Sequence, residues 1–330
     1  MTLLVMKSHG REGFEYINKS DIEEFELSDT RYFTDSRHKI LIDNDPPYGH
    51  FMTNWLYHLL KQLEKFPNPE DVLVLFNKSP QESGITVHHM STVTKYVEAK
   101  LLSKGYGVEY LDGPYFEISN IVEPLDPPLL YSQVFPPVVG PFLKEGLTTK
   151  SQDRKIYLSR SKTTTPNGNV LVDLQEDVKG PQVVADTIQE LRVENQYKFS
   201  DRLDDEQRLE DYLKNLGFEI LVPEDFDSYQ EQLDRISEAK ILMSATSAAL
   251  HAGMVLQPGA IVVELCTLMN IPTGSTQEFM FQNGFLHEHY RSMAVAQKNP
   301  YIAISNLHRK VDEIIDFIES NPAIKELLAT

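Results

Sequence analysis

The sequence predicts an α/β protein made of two Rossmann-like, doubly wound domains facing each other across a cleft. Three observations support this. At 330 residues the chain is longer than one sheet-centred core comfortably serves, and two domains of about 150 residues are favoured. Short apolar runs alternate with segments of helical spacing, the pattern of parallel sheets covered on both faces. A proline-dense stretch at 123–141, with Pro124, Pro127, Pro128, Pro136, Pro137 and Pro141, divides the chain. Proline removes amide donors and biases the preceding residue towards extended geometry, so this stretch reads as an extended connector. The expected organisation is an N-terminal domain over 1–140, a C-terminal domain over 141–305, and a closing helical segment over 306–330. A polar flap near 161–202 is inserted in the second domain.

In the first half, HKILID (38–43) reads as a buried strand. Residues 48–65 form a helix on the spacing of Phe51, Trp55, Leu56, Leu59, Leu60 and Leu63. A strand at 71–76 (DVLVLF), a helix within 87–102, and strands near 108–111 and 118–122 follow. The second half alternates more sharply. KIYL (155–158) is a strand, and a helix over 204–216 ends at Gly217, the residue best suited to a left-handed cap. Strands at 218–222, 241–243, 261–265 and 301–304 are separated by helices at 229–239 and 247–256. A last helix over 307–320 packs by Leu307, Val311, Ile314, Ile315 and Ile318.

Composition narrows the function classes. Forty-one per cent hydrophobic and 24 per cent charged residues make an ordinary globular mixture. No run reaches the ~18 apolar residues of a membrane span, and the first ten residues lack a secretory apolar core. Cys266 is the only cysteine, which excludes an internal disulfide and favours a reducing, cytoplasmic setting. With 49 acidic against 31 basic residues the formal charge is −18, which disfavours nucleic acid as a partner while leaving room for a local basic pocket.

Rossmann-like domains bind ligands at the carboxyl ends of their strands, so the residues after each strand matter most. KIYL is followed by Ser159, Arg160, Ser161 and Lys162, a local positive excess that suits phosphate oxygens or is simply a solvated strand exit. The strand at 241–243 leads into Ser244-Ala245-Thr246-Ser247, then Ala248, Ala249, Leu250 and His251. Small residues there let a ligand approach the backbone, and the first amides of the helix are unpaired donors. Thr246 and Ser247 add hydroxyls, or merely cap the helix. Neither G-x-G-x-x-G nor a P-loop is present. Glu264 ends a strand where a carboxylate accepts both hydroxyls of a ribose, although a peripheral glutamate fits equally.

The order KIYLSRSK, then NLGFEILVPEDFDSYQEQLDRISEAKILMSATSAALHAGMVLQPGAIVVEL, resembles the catalytic core of glycosyltransferase family 61 (DUF563). PPYGHFMTNWLYHLL is similar to that family's Gly-His-aromatic helix start. The family turn Gly-Pro-His-Gly-Ala-Gly is replaced by Ser244 to Ala249, so Thr246 stands where the histidine would be and His251 is a substitute one turn on. The resemblance implies a GT-B architecture and inverting transfer of a hexosyl or pentosyl group from a nucleotide-sugar co-substrate to a hydroxyl. That hydroxyl belongs to a glycan, a lipid-linked saccharide, a protein or a modified nucleobase. The fold generally does without a metal, and no other cofactor is implied. The leaving diphosphate needs positive charge and oriented amides, which Arg160, Lys162 and the 246–247 helix start supply.

His50, after Gly49 at a strand-to-helix turn, is the candidate base, with an ordinary pKa of about 6.5 suited to the task. Asp43 and Asp45 are its rivals. They also form Asp-x-Asp after a strand, the way metal-dependent GT-A transferases hold a cation on a diphosphate. A non-catalytic module for sugar nucleotides or glycans is the alternative of another class. His88-His89 in a helical stretch and His287-Glu288-His289 in a loop after Gly284 have metal-compatible spacing without a third ligand. The acidic run 201–211 reads as a solvated helix face, and Trp55 as core.

Overall fold

The computed structural model describes residues 2–7, 14–17, 31–44, 48–77, 87–111, 115–122, 135–148, 151–161, 203, 205–245, 247–266, 285–305 and 311–330. The chain folds as two units, Met1–Leu130 with Asp227–Gln230, and Tyr131–Phe226 with Glu231–Thr330. Each is a mixed α/β unit with a parallel sheet.

Unit 1 contains β1 (Thr2–Lys7), β2 (Phe14–Ile17), β3 (Arg31–Phe33), β4 (His38–Ile42), β5 (Val72–Phe76), β6 (Gly107–Tyr110) and β7 (Tyr115–Ser119). β4, β5 and β6 form a parallel three-stranded sheet. β2-β1-β7-β3 form a second sheet in which only the β3–β7 pair is parallel. One parallel bridge, Lys39 to Ile121, links the two. The sequence pattern does not announce β1, β2 or β3, because such short runs carry little period-2 signal and gain their place through pairing. The strand expected at 118–122 is shifted: β7 ends at Ser119, and Asn120 takes the left-handed φ of 56°.

The helix expected over 48–65 is present in three parts: α1 (Tyr48–His50), a π-helical stretch Phe51–Leu56, and α2 (Tyr57–Leu63). Phe51, Met52, Leu56 and Leu59 are fully buried, whereas Trp55 is only half-buried. α3 (Val87–Ser103) matches the expected helix. Between β3, β4, β5 and β7 the core is filled by Phe33, Leu41, Leu73, Leu75, Phe116 and Ile118. The wholly buried Lys39 places its ammonium on Asp35 Oδ1 at 2.9 Å and on the Asp35 and Arg37 carbonyls. The Arg37 guanidinium, and then Lys39, hold the Asp35 carboxyl well below the usual carboxylate range.

Unit 2 contains α4 (Pro136–Lys144), β8 (Arg154–Leu158), α5 (Glu206–Asn215), β9 (Glu219–Leu221), α6 (Tyr229–Ser237) and β10 (Ala239–Ala245). Tyr229 and Gln230, which open α6, belong to unit 1. A 3₁₀ helix Ala248–Val255, β11 (Ile261–Cys266), α7 (Phe285–Ala296), β12 (Tyr301–Ser305), α8 (Val311–Ser320) and α9 (Pro322–Ala329) follow. The five strands are all parallel, in the order β12-β11-β10-β8-β9. Numbered within the unit this is the doubly wound order 2-1-3-4-5, which reverses between its first and third strands, β8 and β10. One face packs Tyr157, Ile241, Met243 and Val263 against α5, α8 and α9.

Three expectations in this half are corrected. Residues 136–141 are not extended but open α4, because Pro136 and Pro137 occupy the first helical positions, where no amide donor is needed. His287-Glu288-His289 lie in α7, not in a loop. The helix expected at 247–256 is 3₁₀ throughout. The flap near 161–202 and Leu307 fall outside the described residues, apart from Ser161. Val311, Ile314 and Ile318 of α8 are buried as the spacing requires.

Gly217 does end α5. Phe218 N–H bonds to Leu213 O and Gly217 N–H to Lys214 O, a Schellman closure, with Gly217 at φ +85°. Gly217→Ala should therefore cost about 1–2 kcal/mol, read as a lowered urea midpoint at unchanged slope.

Candidate functional site

In unit 2 the candidate residues gather where the strand order reverses. β8 ends in the apolar side chains of Ile156, Tyr157 and Leu158, all fully buried, and the chain then leaves the sheet as Ser159-Arg160-Ser161. Ser159 is itself buried. Its hydroxyl donates to Glu210 Oε1 at 2.6 Å and lies 2.9 Å from Ser161 Oγ. Glu206 Oε1 receives the Arg160 backbone N–H at 2.8 Å and the Tyr157 hydroxyl at 3.0 Å. Glu206 and Glu210 are one turn apart on α5, so both reach the β8 exit. The acidic run is thus not a uniformly solvated face. Burial, and then the nearby Glu206 charge, push the Tyr157 phenol well above its usual range. The Arg160 side chain is half-buried, and Lys162 lies outside the described residues.

β10 exits beside it. Ser244 donates across the switch point to the Leu158 carbonyl at 2.9 Å, tying the two strand ends together. Thr246 lies outside the described residues. Ser247 sits in extended geometry at the 3₁₀ N-cap and makes no side-chain cap. Its hydroxyl is buried without a partner, while its carbonyl accepts the Tyr290 hydroxyl at 2.7 Å.

His251 is buried between the rings of Phe135 and Tyr290, at centroid distances of 6.0 and 5.3 Å. Its Nδ1 lies 2.8 Å from the Ala248 carbonyl; a carbonyl only accepts, so Nδ1 carries the proton. Glu264 lies within β11, wholly buried, and accepts the Tyr301 hydroxyl at 2.5 Å.

In unit 1, Asp43 and Asn44 follow β4, and Asn77 follows β5, at the carboxyl edge of the parallel sheet. Asn77 N–H bonds to the Ile42 carbonyl at 2.9 Å, and its Nδ2 donates to Asp43 Oδ1 at 3.1 Å. Asn44 Nδ2 donates to Thr94 Oγ1 on α3 at 3.3 Å. Asp45 lies outside the described residues, and among those described no group of three His, Cys, Asp or Glu has a metal-binding arrangement. His50 closes α1, directly after the buried Gly49, whose carbonyl accepts the Thr53 hydroxyl at 2.9 Å. Tyr48, at the other end of the turn, is buried and meets the Tyr229 hydroxyl at 2.5 Å. Burial pushes both phenols above their usual range. The His50 turn is thus held through the two residues before it, Tyr48 and Gly49.

The family model for glycosyltransferase 61 matches residues 48–263, well over half of the chain. This chain belongs to glycosyltransferase family 61. Among curated proteins none matches. The match starts at Tyr48 and ends at Val263, so the Tyr48–His50 turn, the β8 exit and the β10 exit of this glycosyltransferase all lie inside it. No described helix is long and apolar enough to cross a membrane.

Sequence reasoning missed Glu206, Glu210, Tyr301, Asn77 and Tyr229. The first two were findable from their four-residue spacing within a helix that follows the β8 exit in sequence. Asn77 was findable as the polar residue ending DVLVLFN, in the position Asp43 takes after HKILI. Tyr229 carries no local signal.

The hydroxyl pair gives a prediction in the folded glycosyltransferase. Tyr229→Phe should cost about 1–3 kcal/mol, because it removes the buried hydrogen bond between the Tyr229 and Tyr48 hydroxyls. Adding Tyr48→Phe should recover much of that loss. A double-mutant cycle by urea unfolding reads the coupling, and strictly additive losses would contradict the pairing.

Proposed function

We propose that the chain is an inverting, GT-B type transferase that moves a hexosyl or pentosyl group from a nucleotide-sugar donor to an acceptor hydroxyl. In this reading unit 2 takes the donor and unit 1 the acceptor. The supporting observation is that Arg160 follows β8 and Ser247 follows β10, the two strands flanking the reversal of strand order in a parallel sheet. Doubly wound sheets take their ligands at that point.

Arg160 and Lys162 offset the charge of the leaving diphosphate, with the first amides of the 3₁₀ helix and the hydroxyls of Thr246 and Ser247 as further donors. Ser159 sets the shape of the β8 exit, and Glu206 fixes the Arg160 backbone through its amide. Glu264, offered by the sequence as the ribose ligand, is wholly buried inside β11 with its carboxylate on the Tyr301 hydroxyl, and His251 borders the donor site in this reading. At the reacting centre the acceptor oxygen bonds to the anomeric carbon from the face opposite the leaving group. The bond from that carbon to the diphosphate oxygen breaks, and its electron pair leaves with the nucleoside diphosphate. The acceptor proton passes to His50. Asp43, with Asn77 donating to it, is the alternative base.

A panel of nucleotide sugars, followed by calorimetry for binding and by released nucleoside diphosphate for turnover, tests this. One donor should bind and release its diphosphate when a hydroxyl acceptor is supplied, with an inverted anomer in the product. Donor binding without release on any acceptor would make the chain a binding module, and binding of none would overturn the reading.

A further inference from the structure

We propose that unit 1 carries a subsite for an oxyanion-bearing saccharide, built by α3 and residues 227–230, and that this subsite holds part of the acceptor. The proposal rests on the transferase reading only in naming the ligand an acceptor. A cavity of about 410 Å³ lies there, within the ~300–1,000 Å³ usual for small-molecule sites.

Its lining is rich in hydrogen-bond donors. Lys95 and Lys100 bring two cations from α3 into a chain whose overall charge is −18, against a single acid, Asp227. Gln230 also lines it and adds an amide side chain. Three hydroxyl side chains complete the polar wall. Such a wall suits a ligand dense in acceptor oxygens, and the excess of cations favours a negative one.

Tyr96 and Tyr229 supply the apolar part, with rings 5.3 Å apart and nearly perpendicular. Lys100 Nζ lies 4.8 Å from the centre of the Tyr96 ring, which fixes the cation at the cavity wall. Rigid aromatic and polar groups together are what a sugar ring, apolar on its C–H faces and polar at its rim, requires. The location selects acceptor over donor. Tyr229 lines the cavity, and its hydroxyl is the one bonded to Tyr48, two residues before His50. The subsite wall and the turn assigned to the base are therefore joined by one hydrogen bond within unit 1.

The test titrates glucuronate, glucose 6-phosphate and glucose into the full chain by saturation-transfer NMR. Excess UDP or GDP, whichever binds, occupies the donor phosphate site. At least one oxyanion sugar should bind about tenfold or more tightly than glucose; glucuronate leading marks a carboxylate ligand, and glucose 6-phosphate a phosphate one. Lys95→Gln with Lys100→Gln should erase that preference, and Gln230→Leu should weaken the binding, at unchanged melting temperature. Equal binding of glucose, no binding of any sugar, or a preference that survives the double lysine variant would overturn the subsite. Nucleotide binding in the same samples reports separately on the transferase reading: if wild type binds no nucleoside diphosphate that reading fails, and the sugar preference stands or falls by itself.

Discussion

Replacing His50 by alanine should lower transfer ~10²–10⁴-fold while donor affinity stays near that of wild type. The expectation follows from where the residue stands. His50 closes α1 at the carboxyl side of β4, in the unit assigned to the acceptor, so its loss removes a proton acceptor and leaves the donor's partners intact. The turn around it is held without it, by Tyr48 on Tyr229 and Gly49 on Thr53, so the variant should fold. Single-turnover rates beside donor titrations measure the split. Chelation should leave the rate largely unchanged, because the charge of the diphosphate is met by Arg160, Lys162 and a helix start. Loss of activity on chelation, restored by Mn²⁺, would instead make Asp43 and Asp45 metal ligands. Full activity in the His50 variant would move the base elsewhere, with Asp43 next in line.

Arg160→Ala should weaken nucleoside diphosphate binding by ~1.5–3 kcal/mol, the worth of a hydrogen bond to a charged group and roughly a tenfold to 150-fold loss. Only the side chain is removed. The Arg160 backbone stays bonded to Glu206, and Ser159 to Glu210, so the β8 exit should keep its shape. Lys162→Ala should act less, since a flexible point charge is more readily replaced by solvent than a planar fork. Calorimetry with the bound nucleotide decides it. Unchanged affinity with the fold intact would take Arg160 out of the donor site.

The sequence by itself determined the alternation of strands and helices, because apolar runs and helical spacing are local signals. KIYL became β8, IVVEL became most of β11, and Gly217 ended α5 where a left-handed residue was required. It also placed Ser159 and Arg160 at a strand exit, since a polar residue after an apolar run is readable in one dimension, whereas Ser244 proved to lie inside β10, which runs on to Ala245. What only the tertiary structure decided is which exits are neighbours. Strand order depends on pairing between distant segments, and nothing within KIYL or ILM states that β8 and β10 lie side by side with Ser244 bonded to Leu158.

The same reason explains the misreadings. Glu210 looked solvated because charge suggests exposure, yet the Ser159 hydroxyl, distant in sequence, gives its carboxylate a buried donor. Tyr229 looked like an ordinary helix start, and its worth comes from Tyr48 and Tyr96, which the fold alone brings to it. Residues 136–141 looked extended because proline usually breaks helices, whereas at the first helical positions its missing amide costs nothing.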